Sequence, residues 1–386
     1  MKIKEVSASA ILDSRKEKTI LVSIKTNVGE FSASAPNGKS TGKYEAKSYN
    51  KSLEGDIKTI KDIGEYFSEE IFEKFDDLKR VEDIAERQVG ANTLFAFESA
   101  ILKALAKEKR KEVWELINPD ARKFPRLVGN CIGGGAHSKS EKKPNFQEFH
   151  LIPNVKSVEK AFELSKKIKK DVKVILQRED KKFDGGKNDE DAWMTSLNEK
   201  EVLDILSKIN VPLGLDIASS SFYKRKNYNY QNPLLKRNLE EQFFYVSNLI
   251  KNFNIYYIED PFDENDFESF ARLLKRFPDS LIVGDDLTTT NLKRLEKAIK
   301  VKSINGIIVK PNQIGSLMEV KEVCELAKKN NIKIVFSHRS GETEETILAD
   351  LAFGFQADFF KCGITGKERE IKIKRLVEIE KKIKLM

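Results

Sequence analysis

An α/β chain is the fold class this sequence predicts: an amino-terminal α+β segment capping a (β/α)8-type, TIM-like barrel. Three observations carry it. Short apolar runs in the second half end on charged residues at nearly constant spacing. Glu259, Asp285 and Lys310 lie 26 and 25 residues apart, and Lys361 closes a further run. That interval is one strand plus one crossover helix, and a barrel presents its chemistry at the C-terminal rim of its strands. From Val211 onward such runs alternate with helical patterns, and they are near-continuously apolar, as strands buried on both faces must be. The first 124 residues lack this repeat and mix short strands with helices. With 386 residues the chain has room for a barrel of about 250 and a second domain. The expected division is a cap over residues 1–124 and a barrel over 125–386.

Each element follows from local chemistry. Residues 20–24 and 31–35 are β candidates on either side of Asn27–Val28–Gly29. Pro36–Asn37–Gly38–Lys39–Ser40–Thr41–Gly42 is too rich in glycine and hydroxyls for an element interior, so residues 36–42 read as a mobile loop. Helical periodicity covers residues 49–66 and 92–106, where Leu94, Phe97, Ile101 and Leu105 recur on one face. Beyond the boundary, Leu127–Val128 runs into a second flexible loop, Gly133–Gly134–Gly135–Ala136–His137. Residues 146–152 alternate and carry Gln147 and Glu148. A helix near 158–169 leads through the apolar run 172–176 to a polar stretch, 178–196, without periodicity. So long an irregular connection inside a compact domain is a mark of function. In the repeating part, Asn291 is placed to cap a helix over 292–300, and Ser316 with Glu319 has capping-box spacing.

Composition narrows the function. A net charge of +8 raises the question of nucleic acid, but the 69 basic residues are dispersed among 61 acidic ones. No nucleic-acid partner is expected, and the basic balance suits capture of a small anion. No stretch approaches the roughly 18 apolar residues of a membrane span, so no membrane partner is expected. The opening Met1–Lys2–Ile3–Lys4–Glu5 lacks the apolar run of a secretory signal. Cys131, Cys324 and Cys362, an odd and scattered set, suit neither a disulfide framework nor a zinc site. A cytoplasmic location follows as an expectation.

The rim residues point to metal-assisted proton chemistry. Asp216, Glu259 and Asp285 each stand at or near the end of a run that would otherwise be buried. A single such acid is commonly a helix cap. Three on neighbouring strands, without a nearby His or Cys, select a hard divalent cation, most simply Mg²⁺. Lys310 leaves an apolar strand beside them. Desolvation and a bound cation would both lower its pKa and make it a proton acceptor. Lys361 sits equivalently. Arg339 and Ser340, ahead of a helical segment, suit a phosphate or carboxylate. Their neighbour His338 is either part of that site or a buried structural histidine. Glu148 and Glu190 are far apart in sequence. If they meet, one pKa rises and a carboxylic acid persists at neutral pH.

Several motifs resemble the enolase (phosphopyruvate hydratase) family nearly end to end. They are Ile11–Leu12–Asp13–Ser14–Arg15, Ser40–Thr41–Gly42, Gln147–Glu148–Phe149, Ile258–Glu259–Asp260–Pro261–Phe262, Gly284–Asp285–Asp286–Leu287–Thr288, Lys310–Pro311–Asn312–Gln313–Ile314–Gly315 and Ser337–His338–Arg339–Ser340–Gly341–Glu342–Thr343. The resemblance implies an enolase-like fold and a glycolytic and gluconeogenic lyase that interconverts 2-phosphoglycerate and phosphoenolpyruvate. It implies two Mg²⁺ per site, the catalytic one on Asp216, Glu259 and Asp285 and the second reached by Ser40. Lys310 is then the base at C2, Glu190 with Glu148 the acid at the C3 hydroxyl, and Lys361 the partner of the substrate carboxylate. Arg339 and Ser340 meet the phosphate, Gln147 and His338 line the substrate, and His137 closes over it. A homodimer or larger homo-oligomer is implied as well.

Departures from the family pattern lie on the loops. Lys16–Glu17–Lys18 stands where Gly-Asn-Pro is usual, and Asn37–Gly38–Lys39 where Ser-Gly-Ala is usual. Asp191–Ala192 replaces a glycine pair, and Cys362–Gly363–Ile364–Thr365 follows Lys361 in place of Thr-Gly-Ala-Pro. The metal and proton-transfer positions are spared. A paralogue acting on another phosphorylated carboxylic acid, or a non-catalytic binding protein, are therefore the competing readings.

Overall fold

The computed structural model describes residues 1–386 apart from 40, 41, 68, 69, 86 and 386. Ser40, the expected ligand of a second ion, lies outside the described residues. In the amino-terminal part β1 (Ile3–Leu12), β2 (Lys18–Thr26) and β3 (Gly29–Ser34) pair antiparallel in that order. Alternation along β2 buries Ile20, Val22 and Ile24. Four helices follow: α1 (Leu53–Ile63), α2 (Lys79–Ala85), α3 (Ala91–Lys109) and α4 (Val113–Ile117), with α3 packed across β2 and β3. The helix expected over 49–66 begins only at Leu53. Ser52 stops it there, its Oγ accepting the Gly55 amide at 3.0 Å and so satisfying one of the free donors of a helix start.

The second part is a closed barrel. Its elements in order are β4 (Arg126–Gly133), β5 (Glu148–Leu151), α5 (Val158–Glu179), β6 (Trp193–Met194), α6 (Glu199–Leu206) and β7 (Leu213–Asp216). Three short strands come next: β8 (Tyr223–Lys224), β9 (Asn227–Gln231) and β10 (Leu234–Arg237). The regular repeat then runs α7 (Leu239–Phe253), β11 (Tyr257–Glu259), α8 (Phe267–Arg276), β12 (Leu281–Gly284), α9 (Leu292–Val301), β13 (Gly306–Val309), α10 (Leu317–Lys329), β14 (Lys333–Ser337), α11 (Ile347–Gly354), β15 (Phe359–Lys361) and α12 (Lys367–Leu385). Asn291 and Ser316 cap α9 and α10 as their positions predict, accepting the amides of Arg294 and Glu319 at 3.1 and 2.9 Å.

Three features differ from the expectation. The strand order β4-β5-β7-β11-β12-β13-β14-β15 closes through a β15–β4 pairing, but β5 is antiparallel to both its neighbours. The reason is the connection from β4 to β5, which carries one short 3-10 turn and no crossover helix. A chain that does not cross over returns antiparallel. Secondly, the apolar run 172–176 belongs to α5, where Val172 and Leu176 continue the buried stripe of Ala161, Phe162, Ser165, Ile168 and Lys169. Thirdly, β8, β9 and β10 form a small antiparallel sheet inserted after β7. Among the described residues, no helix is long and apolar enough to cross a membrane.

The barrel interior places the site. Successive side chains on a strand point to opposite faces. One separate core cluster holds Val128, Ile152, Tyr257, Leu281, Val283, Ile308, Val335 and Phe359. Their sequence neighbours Ile258, Ile282, Ile307, Val309 and Phe360 join the larger core. The first set therefore fills the barrel and the second faces the helices. Stepping two residues along from the interior set reaches Glu259, Asp285, Lys310, Ser337 and Lys361. On antiparallel β5 the same step, taken backwards from Ile152, reaches His150 and then Glu148. Gly214 is the interior residue two before Asp216. A Cβ there would lie 3.0, 3.1 and 3.2 Å from Ile152, Tyr257 and His150. The filled barrel leaves room only for glycine.

Candidate active site

Period-two alternation thus delivers acids and lysines inward at one rim, and register fixes their height. Asp216 is paired with both Glu259 and Glu148, and Ser337 with Lys361. Lys361 stands at the centre. Its Nζ donates to Glu259 at 2.8 and 2.9 Å and to Asp216 Oδ2 at 2.9 Å, and lies 3.2 Å from Glu148 Oε1. Burial opposes its charge, but Asp216, Glu148 and Glu259 together hold its pKa well above the ordinary lysine value. Gln147 reaches Asp216 Oδ2 at 3.4 Å, and the Tyr257 hydroxyl donates to Glu259 Oε2 at 2.7 Å.

Lys310 pairs with Asp285, Nζ to Oδ2 at 2.5 Å. Burial pushes its pKa down and Asp285 pushes it up, and Asp285 prevails. The lowered value expected of this lysine is therefore not what these protein groups alone produce. It requires a cation drawing on Asp285.

The acids carry more charge than the lysines neutralise. Burial and the neighbouring Asp216 raise Glu259 to about 8 despite Lys361. Burial and Asp285 raise Asp286 to about 7. Asp260, buried and beside Asp286 and Asp285, is raised well above the carboxylate range. Its carboxylate accepts the amides of Asp285 and Asp286 at 3.0 and 2.6 Å, so it orients the turn that carries both. Two groups of side chains, all buried except the half-buried Asp286, bring their ligand atoms within 4.8 Å of one another: Asp260 with Asp285 and Asp286, and His137 with Glu148 and Glu190. Either can hold a metal ion. The expected set is divided, Asp216 and Glu259 on Lys361 and Asp285 on Lys310. An all-carboxylate rim whose acids repel one another into protonation is the donor chemistry a hard divalent cation neutralises.

Glu148 and Glu190 do meet. Burial and the charge of Glu190 raise Glu148 well above the usual range, although Lys361 opposes them. Burial would raise Glu190 too, but His338, His137, Arg369 and Asn130 outweigh it and hold it low. The two carboxyl groups are thus pushed in opposite directions, Glu148 up and Glu190 down. The resemblance implies Glu190 as the acid, with Glu148 beside it. The neighbours of Glu190 account for its direction: Asn130 Nδ2 donates to Glu190 Oε2 at 2.9 Å, and His137 and His338 lie 3.4 and 3.6 Å from Glu190 Oε1. His150, 3.0 Å from Glu148, completes the group. All three histidines of the chain therefore surround these two carboxylates. Burial lowers the pKa of each, and the charge of Glu190 opposes it.

Arg339 reaches Glu45 Oε2 at 2.9 Å and Asn312 Oδ1 at 3.4 Å. A Cβ at Gly38 would collide with its guanidinium, so the amino-terminal part lies directly against it. Ser340 Oγ accepts from Arg15 at 3.0 Å. The residues enclose a cavity of about 30 Å³, lined among others by Lys39, His137, Gln147, Glu190, Lys310, Arg339 and Ser340. Sequence reasoning missed His150, Tyr257, Asp260 and Glu45. The first two sit two residues from Glu148 and Glu259 on the same strand face, a signal that was present. Asp260 turns inward through a left-handed backbone, φ 42°, and Glu45 acts from a loop, so neither had a periodic signature.

The comparisons with known proteins agree along the whole chain. Residues 3–117 match the model for the enolase N-terminal domain, and residues 122–385 that for the enolase C-terminal TIM barrel domain. The chain is 35% identical to an enolase of Methanosphaera stadtmanae, over 99% of its own length and 97% of the relative's. It is 36% identical to an enolase of Sulfurisphaera tokodaii, over 98% and 95%, and 34% identical to one of Pyrobaculum aerophilum, over 94% and 91%. With two domain models spanning it and relatives matched across almost their full length, this chain belongs to the enolase family.

Proposed function

We propose that the protein is a hydro-lyase that reversibly dehydrates 2-phosphoglycerate to phosphoenolpyruvate with Mg²⁺. The observation that carries this reading is the convergence of two lysines, Lys361 buried and Lys310 half-buried, and an all-carboxylate donor set on one barrel rim. Removing a proton next to a carboxylate is difficult because negative charge accumulates on that carboxylate. Asp216, Glu259 and Asp285, with Asp260 and Asp286 beside Asp285, would hold Mg²⁺, which would supply positive charge where it develops. The resemblance adds Ser40 as ligand of a second ion.

Lys310 in its amine form takes the C2 proton at Nζ. The freed electron pair forms the C2–C3 double bond as the C3–O bond breaks, and the leaving hydroxide takes a proton from the Glu148–Glu190 pair to depart as water. The pair, rather than Glu190 alone, is the acid in this reading, because Glu148 is pushed up while Glu190 is pushed down. Lys361 supports the substrate carboxylate, and Gln147 and His338 flank the substrate. Arg339 and Ser340 receive the phosphate, with Glu45 yielding part of the guanidinium. His137 covers the site and helps exclude water.

An absorbance assay for phosphoenolpyruvate tests this. The parent protein with excess Mg²⁺ should form product. Lys310→Ala should lower kcat by on the order of 10³-fold, within the range for loss of a general base, while calorimetry shows Mg²⁺ still bound. A parent protein that forms no product refutes the reading. Lys39, lining the cavity and bridged to Asp189 at 2.5 Å, adds a cation and favours a second reading: another phosphorylated carboxylic acid as substrate. A panel of such acids run beside 2-phosphoglycerate separates the two. We further infer a cytoplasmic homodimer or larger homo-oligomer serving glycolysis or gluconeogenesis, and sedimentation at micromolar concentration decides the assembly.

A further inference from the structure

Glu190 rides on a tight turn over residues 188–192. The Asn188 side chain closes it, Oδ1 accepting the amides of Glu190 at 3.0 Å and Ala192 at 2.9 Å. The residue after Glu190, Asp191, has φ 62°, in the left-handed region where glycine is favoured. Something outside the turn must hold it there, and the contacts identify it. Lys169, projecting from α5 and only 3% exposed, directs its Nζ to the Asp191 carbonyl, to Asp191 Oδ2 at 3.2 Å and to Thr365 Oγ1. Thr365 also donates to the Asp191 carboxylate, and Lys187 adds bonds at 2.8 and 3.0 Å. Trp193 returns the contact, its Nε1 donating to the Lys169 carbonyl at 2.9 Å.

We propose that Lys169 is a positioning residue for Glu190: through Asp191 and Thr365 its buried ammonium pins the 188–192 turn, so that the Glu190 carboxylate stays between Asn130, His137 and His338. The inference rests on the reading of Glu190 as half of the acid pair. A buried ammonium is tolerated only when fully paired, and here its partners are the turn and the segment after Lys361. The same cation thus ties both segments, which also bond each other through Thr365 and Asp191, to α5. Displacing a reacting group by about 1 Å can cost on the order of 10²-fold in rate.

The test compares Lys169→Met and Thr365→Val with the parent in kcat, KM, Tm and crystal structure, with rates taken well below each Tm. Thr365→Val removes one hydroxyl and leaves every charge in place, so it carries the test if Lys169→Met folds poorly. The expected result is kcat lowered about 10- to 100-fold for Lys169→Met and a few-fold for Thr365→Val, with KM within about threefold. In the Lys169→Met crystal structure the Glu190 carboxylate should have left Asn130. A fall in Tm with parental kcat and an unmoved Glu190 would overturn the proposal, since that is what a purely structural lysine gives. If the parent itself makes no phosphoenolpyruvate, the functional reading fails, and the position of Glu190 in the variant structures still decides the role of Lys169.

Discussion

Lys361 is bonded to Glu259 and Asp216 and close to Glu148 in a buried setting. Its removal would leave three acids facing one another without a counter-charge. Breaking a buried ion pair from one side typically costs about 3–5 kcal/mol. Lys361→Met should therefore lose stability of that order in denaturant titrations. Because the deficit is uncompensated negative charge, Mg²⁺ should recover part of it, and a deficit indifferent to Mg²⁺ would contradict the cation site. Asp216, Glu259, Asp285, Lys310 and Lys361 were legible in the sequence because each is a charge ending an apolar run. His150 and Tyr257 were hidden by the same logic. They stand inside runs, and only the inward parity that the barrel imposes separates them from core residues. That one pKa of the Glu148–Glu190 pair would rise if they met was legible, but not which one, since Asn130 and two histidines distant in sequence bias it.

Helices and strands carry their own evidence. Glu98 of α3 is fully buried against the start of α10, its Oε2 accepting the Leu317 amide at 2.7 Å. Burial and the nearby Glu82 raise its pKa well above the ordinary value, so the folded protein holds this proton to higher pH than the unfolded chain does. Below about pH 4.5 the unfolded chain is protonated too and no penalty arises. Above it the unfolded chain ionises while the folded one does not, and stability falls by up to about 1.4 kcal/mol per pH unit until the folded group also titrates. Glu98→Gln, which keeps the acceptor and removes the proton, should match the parent near pH 4 and exceed it increasingly toward pH 8. Equal pH slopes for the two proteins would count against a protonated Glu98. The strand–helix alternation after Val211 was readable from spacing, because the barrel strands are largely apolar and α7, α8, α9 and α10 each begin on a capping side chain. The reversed β5 was not readable: its direction depends on a missing helix, and the Gly-rich loop that replaces one has no pattern of its own. The β8–β10 insertion escaped for a similar reason, its strands being too short for period-two alternation to stand out.

For the molecule as a whole, the site belongs to both parts of the chain. Glu45 and Gly38 come from the amino-terminal part and contact Arg339 on the barrel, while Arg15 bonds Ser340. A ligand that binds only the assembled rim stabilises everything that assembles it, by about 2.7 kcal/mol at one hundred times its Kd. Mg²⁺ titrated into the parent should accordingly raise the unfolding midpoint steadily with its concentration, and Asp285→Ala should abolish most of the gain. An equal response in both proteins would place the ion elsewhere.

The three imidazoles deserve a last consequence. Since no other histidine exists in this polypeptide, a nitrogen or proton NMR spectrum confined to imidazole signals would contain three resonance sets, each from a ring beside Glu148 or Glu190. Ligand arrival or a change in the protonation of either carboxyl group would register there without assignment of anything else, making the native protein its own site-specific probe.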